Sequence, residues 1–379
     1  MTLILNDEQQ MLQQAARDFF AEKQPVKALR DLRDRADATG FDRNAWQAMA
    51  ELGWAGILIP ESEGGVDFGY QGAGQIMEQA GRTLAASPLL ATVLLGAALV
   101  RALGNEGQRA ALLPAVASGE KILALALDEG PHHAPLHTAL SAEANGDGYC
   151  LNGRKTMVLD GHVADTLLVV ARTSGKPGDA NGLSVFIVPP QSSGLHCRRL
   201  NLVDSRNAAT LEFTSLRVPA EALLGPLDGA WPALSAVLDG GCAGLAAEML
   251  GTAQEAFDRT LNYLRMRQQF GVVIGSFQAL KHRAALMFCE LELTRSAVRA
   301  ALDALDTQNP EAPLLASLAQ AKACETLELV SSEAVQLHGG IGMTDAEEIG
   351  LFLKRARVAQ QTLGDARYHR ARYAGLRQF

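Results

Sequence analysis

Two arginines near the end of a predicted helix are the residues whose type and spacing best suit the binding of a phosphate. Arg265 and Arg267 lie in the segment Tyr263-Leu-Arg-Met-Arg-Gln-Gln-Phe-Gly271. A guanidinium group can hold a phosphate through two parallel hydrogen bonds, so the pair could form a fork around one. In a simpler interpretation, Gly271 ends the helix and the arginines offset the negative end of its dipole. The residues alone leave both interpretations open.

A second segment, Gln336-Leu-His-Gly-Gly-Ile-Gly-Met343, contains three glycines within four positions. Such a cluster predicts the end of a helix. It also predicts a stretch of backbone that a ligand can approach closely, because no side chains are in the way. Either interpretation accounts for the glycines when this segment is considered by itself.

Taken together, these segments resemble the acyl-CoA dehydrogenase family. The family pattern R-x-Q-F-G is followed by F-Q-x-x-x-H and, further along the chain, by Q-x-H-G-G-x-G, and all three parts occur here in that order. Two more stretches resemble the N-terminal and β domains of the family, namely Glu51-Leu-Gly-Trp-Ala-Gly-Ile57 and Leu151-Asn-Gly-Arg-Lys155. We therefore expect the resemblance to extend over the whole chain.

The resemblance implies a flavoprotein that binds FAD at the subunit interfaces of a tetramer. The implied reaction converts an acyl-CoA thioester to a 2-enoyl-CoA, and the electrons pass to an electron-transfer flavoprotein. The protein's part in such chemistry is to bind and orient the cofactor. The implied FAD contacts are Arg267, Phe270 and Gln278 at the pyrophosphate and adenosine end, with Gln336, Gly339 and Gly340 along the same dinucleotide.

The catalytic carboxylate of the family is missing from both of its usual positions. The family's Y-E-G-T motif is matched here by Gln361-Thr-Leu-Gly-Asp365, in which Leu363 occupies the position of the glutamate. Some members carry the base on a long helix, in the pattern L-D-x-E-R. The matching stretch is Leu238-Asp-Gly-Gly-Cys242, in which Gly241 occupies the position of the glutamate.

A substitute base has to be a carboxylate within hydrogen-bond reach of the substrate, with a pKa adjusted by burial. We predict Asp365 as the first candidate, because it lies two residues beyond the usual glutamate. Asp239 is the second candidate, on the glycine-rich part of the long helix. The alternative for each residue is a surface or helix-capping aspartate.

The loop that faces the flavin in the family also differs. The pattern T-E-P-x-x-G-S-D is replaced by Asp128-Glu-Gly-Pro-His-His-Ala-Pro135, and the later W-I-T-N-G stretch is Met157-Val-Leu-Asp-Gly161. We therefore expect altered contacts to the flavin ring. The three histidines of this region, His132, His133 and His137, lack metal-ligand spacing and a nearby cysteine, so we predict loop residues and no metal site.

These departures resemble the unusual chains of heteromeric, two-gene acyl-CoA dehydrogenases from bacterial steroid and dicarboxylate catabolism. In such enzymes one chain supplies a complete half-site and the other a degenerate one. The resemblance therefore allows two functions: an active dehydrogenase, or a non-catalytic or half-site subunit that completes the FAD pocket of a partner. The corresponding assemblies are a homo-oligomer and an α2β2 heterotetramer. A related flavin oxidase is a third possibility.

The elements that must position these residues fall into three predicted domains of an α+β multidomain protein. Residues 1–120 carry helical patterns, 121–222 carry short strands separated by turns, and 223–379 are helical again. The middle domain is predicted to be an antiparallel β-barrel or sandwich, with tight turns at Asn145–Gly148 and Asn152–Gly153. The last domain is predicted to be a four-helix-bundle-like arrangement of long helices over 231–269, 276–306 and 313–338.

Composition excludes several other classes of protein. The 379 residues carry a formal net charge of -8, which does not favour nucleic-acid binding. Five cysteines without C-x-x-C spacing favour reduced thiols in the cytoplasm. The N-terminus turns polar by residue 6, so we expect no signal peptide. The longest apolar stretch, Leu89–Leu103, is interrupted by Gly96 and Arg101, which favours a buried helix over a membrane span.

Overall fold

The computed structural model describes residues 4–379, which form two compact units. The bundle unit contains residues 4–34, Tyr70–Ala85 and Cys242–Phe379. The sheet unit contains Arg35–Gly69 and Ala86–Gly241. Each unit is therefore assembled from segments that lie far apart in the chain. The domain boundaries drawn from the sequence stay a prediction.

Helices dominate the first part of the chain, as predicted. Their bounds are α1 Asp7–Lys23, α2 Val26–Asp34, α3 Arg43–Glu51, α4 Gly69–Arg82, α5 Ala98–Leu103 and α6 Glu106–Ala117. A π-helix over Leu89–Ala97 continues directly into α5, and all of its residues are buried. Asn6 and Gln9 form a reciprocal capping box that begins α1. Helices α2 and α3 are the short ones before α4, with nine residues each.

The central sheet has eight strands, which pair mostly antiparallel as predicted. Their bounds are β1 Leu123–Ala126, β2 Ser141–Asn145, β3 Gly148–Leu159, β4 Thr166–Arg172, β5 Leu183–Val188, β6 Leu195–Asn201, β7 Asn207–Pro219 and β8 Leu223–Leu224. The strand order is β6-β7-β3-β2-β4-β5-β8, and β1 pairs parallel with β4. Every residue of β4 is buried, so the core of the sheet lies along this strand. The edge strand β6 is largely exposed and polar.

The predicted turn at Asn152–Gly153 is wrong. Both residues lie inside β3, which unites two runs that the sequence separates. The register between β3 and β7 shifts between Leu151 and Gly153, so the glycine marks a β-bulge. Gly153 has φ +140°, and a Cβ atom there would lie 2.9 Å from the Cα of Leu140. The predicted turn between Asn145 and Gly148 does connect β2 to β3.

The C-terminal helices form a bundle, as predicted. Their bounds are α7 Trp231–Met266, α8 Gln278–Asp306, α9 Ala312–His338, α10 Ile349–Ala359 and α11 Ala366–Leu376. Helix α9 packs against α8, α10 and α11. Helix α7 is long and apolar enough to cross a membrane by length and composition, but 83% of its most apolar window is buried inside the protein. Burial against neighbouring helices accounts for that apolar surface.

Helices α4 and α7 approach each other so closely that neither has room for a side chain at the crossing. A Cβ atom on Gly81 would overlap the carbonyl oxygen of Glu248, and a Cβ atom on Gly251 would overlap the carbonyl oxygen of Glu78. The contact is reciprocal, because each glycine faces the backbone of the other helix. The two glycines therefore set the distance between α4 and α7 in the bundle unit.

Replacing Gly251 by alanine should destabilise the bundle unit, because backbone atoms on α4 must move. We expect the free energy of unfolding to fall by about 2–3 kcal/mol, the usual cost of overpacking, in urea titrations followed by circular dichroism. The matched control is Gly340→Ala, since a Cβ atom there meets no heavy atom within 4 Å. Equal stability of the two variants would show that the crossing is not tightly packed.

Candidate functional site

The segment after α7 forms a small hairpin. Strands β9 Gln268–Gln269 and β10 Val272–Val273 pair antiparallel, and Phe270 and Gly271 form the two-residue turn between them. Both turn residues have positive φ, +54° for Phe270 and +78° for Gly271, as a type I′ turn requires. The interpretation of Gly271 as the end of a helix is therefore wrong, and α7 already ends at Met266.

Phe270 combines an unfavourable backbone conformation with an unburied side chain. A left-handed conformation costs a residue other than glycine about 1–2 kcal/mol. The residue is 90% exposed and its ring contacts that of Phe277 edge-on, at 6.1 Å between centroids, so burial does not offset that cost. Strained residues persist where the surrounding structure or a ligand uses them. The tip of the hairpin thus offers an aromatic ring to a ligand or to a second chain.

The glycine-rich strip follows α9 directly. Helix α9 ends at His338, and Gly339–Met343 form a 3-10 turn. Gly342 is packed, since a Cβ atom there would lie 2.8 Å from the carbonyl oxygen of Val335. Around Gly339 and Gly340, in contrast, a Cβ atom would meet no heavy atom within 4 Å. Gly339 needs its φ of +67°, but nothing within the described chain requires a glycine at position 340.

A ring stack brings the hairpin segment and the glycine strip together. The rings of Tyr263 and His338 lie 4.4 Å apart between centroids, with an interplanar angle of 25°. His338 donates a hydrogen bond from Nδ1 to the carbonyl oxygen of Ala334, at 2.7 Å, because a carbonyl oxygen can only accept. Arg267 continues from Tyr263 through a backbone hydrogen bond of 2.9 Å. The two sequence motifs therefore form one surface of the bundle unit.

The six residues predicted to contact the cofactor all lie exposed on this surface or on the elements that form it. Gln278 is the first residue of α8, and Gln336 lies in the last turn of α9. The exposed residues are Arg267, Phe270, Gln278, Gln336, Gly339 and Gly340. Sequence analysis missed Tyr263 as the residue that connects the two motifs, although it begins the first of them.

Two arginines of α2 hold the chain just after the glycine strip. Arg33 donates two hydrogen bonds of 2.7 Å to the carboxylate of Asp345, and Arg30 adds one of 3.0 Å. Chiefly through the hydrogen bonds from Arg33, the pKa of Asp345 falls to about 2. The carboxylate is therefore ionised at every physiological pH, so its ion pairs with Arg30 and Arg33 persist.

Leu363, one of the two positions that carry the base in the family, contacts Cys242 within the bundle unit. The carbonyl oxygen of Leu363 accepts a hydrogen bond from Nε2 of His369 at 2.9 Å and faces Sγ of Cys242, next to Gly241, at 3.8 Å. Leu363 is 7% exposed and has φ +57°. An apolar side chain and a glycine thus replace the two carboxylates.

The two predicted bases have different surroundings. Asp365 is the N-cap of α11, and its Oδ1 accepts a hydrogen bond from the backbone N–H of Tyr368 at 2.8 Å. This contact occupies one carboxylate oxygen in a structural role. Asp239 lies on α7 and is buried, with 3% of its surface exposed. A catalytic role for either residue stays a prediction.

In the sheet unit, the loop after β1 has an ordered polar network. Asp128 holds Nδ1 of His133 at 2.9 Å and the backbone N–H of Ala134 at 3.1 Å. Glu129 accepts hydrogen bonds from the ammonium group of Lys155 at 2.7 Å and from two backbone N–H groups. Lys155 is fully buried, and this burial lowers its pKa while the charge of Glu129 opposes the shift. Sequence reasoning did not single out Lys155.

Three sequence-family models match the chain one after another. The acyl-CoA dehydrogenase N-terminal domain matches residues 6–120, the middle domain matches 127–216 and the C-terminal domain matches 229–374. The chain belongs to the acyl-CoA dehydrogenase family. It is an oxidoreductase of the type that acts on a CH–CH bond of an acyl-CoA, as predicted.

Relatives of known structure and sequence cover nearly the whole chain. A probable acyl-CoA dehydrogenase of Bacillus subtilis, YngJ, is 31% identical over 370 residues, which is 95% of each chain. The structure of butyryl-CoA dehydrogenase from Megasphaera elsdenii superposes with a TM-score of 0.91 at 26% identity, over 100% of both chains. The ChsE4-ChsE5 complex of Mycobacterium tuberculosis has a chain with a TM-score of 0.88 at 27% identity, covering 100% of this chain and 99% of that one.

One family position in the sheet unit carries a buried acid. Asp160 stands where the W-I-T-N-G pattern of the acyl-CoA dehydrogenases has asparagine. Burial raises its pKa to about 7, although a hydrogen bond from the amide of Asn207, at 3.1 Å, and the charge of Arg206 favour the ionised form. The same amide group of Asn207 also donates to the carbonyl oxygen of Thr39 at 2.7 Å. Asp160 therefore belongs to a buried hydrogen-bond network in which its carboxyl group becomes ionised as the pH rises through about 7.

Asp160→Asn should change how stability depends on pH. In the unfolded chain an aspartate ionises near its ordinary pKa, but in the folded chain Asp160 keeps its proton up to about pH 7. Wild-type stability should therefore fall as the pH rises from the ordinary pKa of an aspartate to about 7, and it should level off above that pH. The variant should lack this fall and be more stable by ~2–4 kcal/mol above pH 7.

Urea unfolding of both proteins at several pH values between 5 and 8, on the order of one titration per half unit, measures this difference. Parallel curves for the two proteins over the whole interval would contradict a buried, protonated Asp160.

Proposed function

We propose that this chain binds FAD and catalyses the α,β-dehydrogenation of an acyl-CoA thioester to a 2-enoyl-CoA, with electrons passing to an electron-transfer flavoprotein. The observation that carries the proposal is the stack of Tyr263 on His338. This stack joins Arg267 and the hairpin that follows it to the glycine-rich segment Gly339–Met343. A dinucleotide is long enough to use both parts of such a surface. Relatives named for their acyl-CoA substrates add support.

The residues of this surface fit the parts of FAD. Arg267 presents an exposed guanidinium group, which can bind the pyrophosphate through two hydrogen bonds. The exposed ring of Phe270 offers an apolar face to the adenosine end. The open space around Gly340 lets a ligand lie against the backbone. When bound, FAD would supply the acceptor for two electrons, and the protein would orient it.

The proton of the substrate α-carbon needs an acceptor in this chain. We propose Asp365 first, because only one of its carboxylate oxygens has the helix-capping contact in the structure. The other oxygen would hold the proton. Asp239 is the second candidate, since it is a buried carboxylate on α7.

Arg267→Ala should weaken FAD binding about tenfold or more, because it removes charge-assisted hydrogen bonds to the pyrophosphate. The matched control is Arg265→Ala, two residues earlier and also exposed, which lies outside the family pattern. The measurement is the flavin absorbance of each purified protein and the affinity of each apoprotein for added FAD. Equal flavin retention in the two variants would remove Arg267 from the cofactor site.

Asp365→Asn separates the base from the helix cap. Asparagine caps a helix as well as aspartate does, so the thermal stability should stay unchanged. Loss of the carboxylate should abolish reduction of the bound flavin by acyl-CoA in anaerobic stopped-flow experiments. Asp239→Asn serves as the parallel variant. If Asp365→Asn reduces its flavin at the wild-type rate, Asp365 is not the base.

A second function has a specific observation in its favour. Leu363 and Gly241 leave both family base positions without a carboxylate, as expected of a half-site subunit that completes the FAD pocket of a partner chain. Exposed apolar side chains on the bundle unit would suit the contact with another subunit, namely Phe270, Phe277, Leu286, Phe288, Leu293 and Met343. A chain that is colourless alone and yellow only after co-expression with a related chain would support this function over the first.

A further inference from the structure

The loop after β1 surrounds a cavity in the sheet unit. Its volume is about 430 Å³, within the range of small-molecule sites. Apolar walls come from Leu127, Pro131 and Ala134, and two exposed histidines, His132 and His137, complete the lining together with Glu129, Gly130 and Thr138. The cavity thus combines an apolar surface with two side chains that donate hydrogen bonds.

The carboxylate of the lining, Glu129, already has a lysine partner. Glu129 forms a hydrogen-bonded ion pair with Lys155. Its oxygens also accept hydrogen bonds from the backbone N–H groups of Ala139 and Leu140, each at 2.9 Å. The neighbouring Asp128 is engaged with His133 and the backbone of Ala134. An anion entering the cavity therefore meets one carboxylate, that of Glu129, which is paired with Lys155, in addition to the two histidines.

The loop that carries the histidines is held in place from outside. Arg172, which is buried, donates hydrogen bonds of 2.9 Å to the carbonyl oxygens of Leu136 and Thr138. Gly178 donates a backbone hydrogen bond to the same carbonyl of Leu136 at 2.8 Å. Because these contacts lie on both sides of His137, the backbone at this histidine is fixed before a ligand arrives. Such preorganisation lowers the entropic cost of binding.

We propose that this cavity binds an anionic group of the acyl-CoA, with His132 and His137 as the residues that recognise it. Imidazole donors recognise carboxylate or phosphate oxygens, and the apolar walls suit the chain to which such a group is attached. The anion is either a carboxylate at the far end of the acyl group or a phosphate of CoA. The inference rests on the proposed function in taking an acyl-CoA as the ligand.

The test measures binding of glutaryl-CoA, butyryl-CoA and free CoA to the purified full chain by isothermal titration calorimetry. The variant is His132→Ala/His137→Ala, with the two single variants in reserve if the double variant has a lowered melting temperature. The matched control is His196→Ala, an exposed histidine on β6 outside the cavity. Flavin content and flavin reduction, read in the same samples, report on the proposed function separately.

We expect the double variant to bind at least one probe about tenfold or more weakly, because charge-assisted hydrogen bonds are lost. A loss confined to glutaryl-CoA identifies a distal carboxylate, and an equal loss for all three probes identifies a CoA phosphate. Unchanged affinities in the double variant, an equal loss in His196→Ala, or no binding of any probe to the wild type would overturn the proposal. Loss of flavin with normal probe binding would count only against the proposed function.

Discussion

The contact on which the candidate cofactor site depends is the stack between Tyr263 and His338. These rings come from the C-terminal turns of α7 and α9, two helices that are separated in the chain by the whole of α8. Aromatic contacts of this kind contribute about 0.5–1.5 kcal/mol beyond burial, which is modest. The stack between Tyr263 and His338 matters for its geometry, because it places Arg267 with its hairpin and the glycine-rich segment Gly339–Met343 on one surface.

Sequence periodicity was sufficient for the long helices, because each keeps one helical period over many turns. The sequence analysis did not identify the turn at Phe270–Gly271, and it predicted a turn at Asn152–Gly153 that the structure lacks. Phe270 and Gly271 form a type I′ turn, although phenylalanine is a poor residue for positive φ and gives no turn signal. Asn152–Gly153 has the favoured composition for such a turn, yet pairing of β3 with β7 keeps it inside a strand as a bulge. At Asn152–Gly153, a tertiary contact therefore overrides local preference.

The sequence allowed prediction of which residues form the candidate site, but not of the contacts between them. The motifs identified the exposed arginine and glycines, and they also revealed the missing carboxylates at Leu363 and Gly241. They could not show that Cys242 and His369 meet at the carbonyl of Leu363, since these residues are 127 positions apart. The sequence likewise showed that Asp160 replaces an asparagine, but the shift of its pKa depends on burial that only the fold supplies.

A double-mutant cycle tests most directly whether the two segments act as one cofactor site. Tyr263→Ala, His338→Ala and the combined variant would be prepared as apoproteins, and their affinity for FAD would be measured by flavin fluorescence. If the stack joins the segments, each single change weakens FAD binding and the double change costs much less than the sum of the two. Wild-type affinity in all three variants, or strictly additive losses, would contradict a shared site.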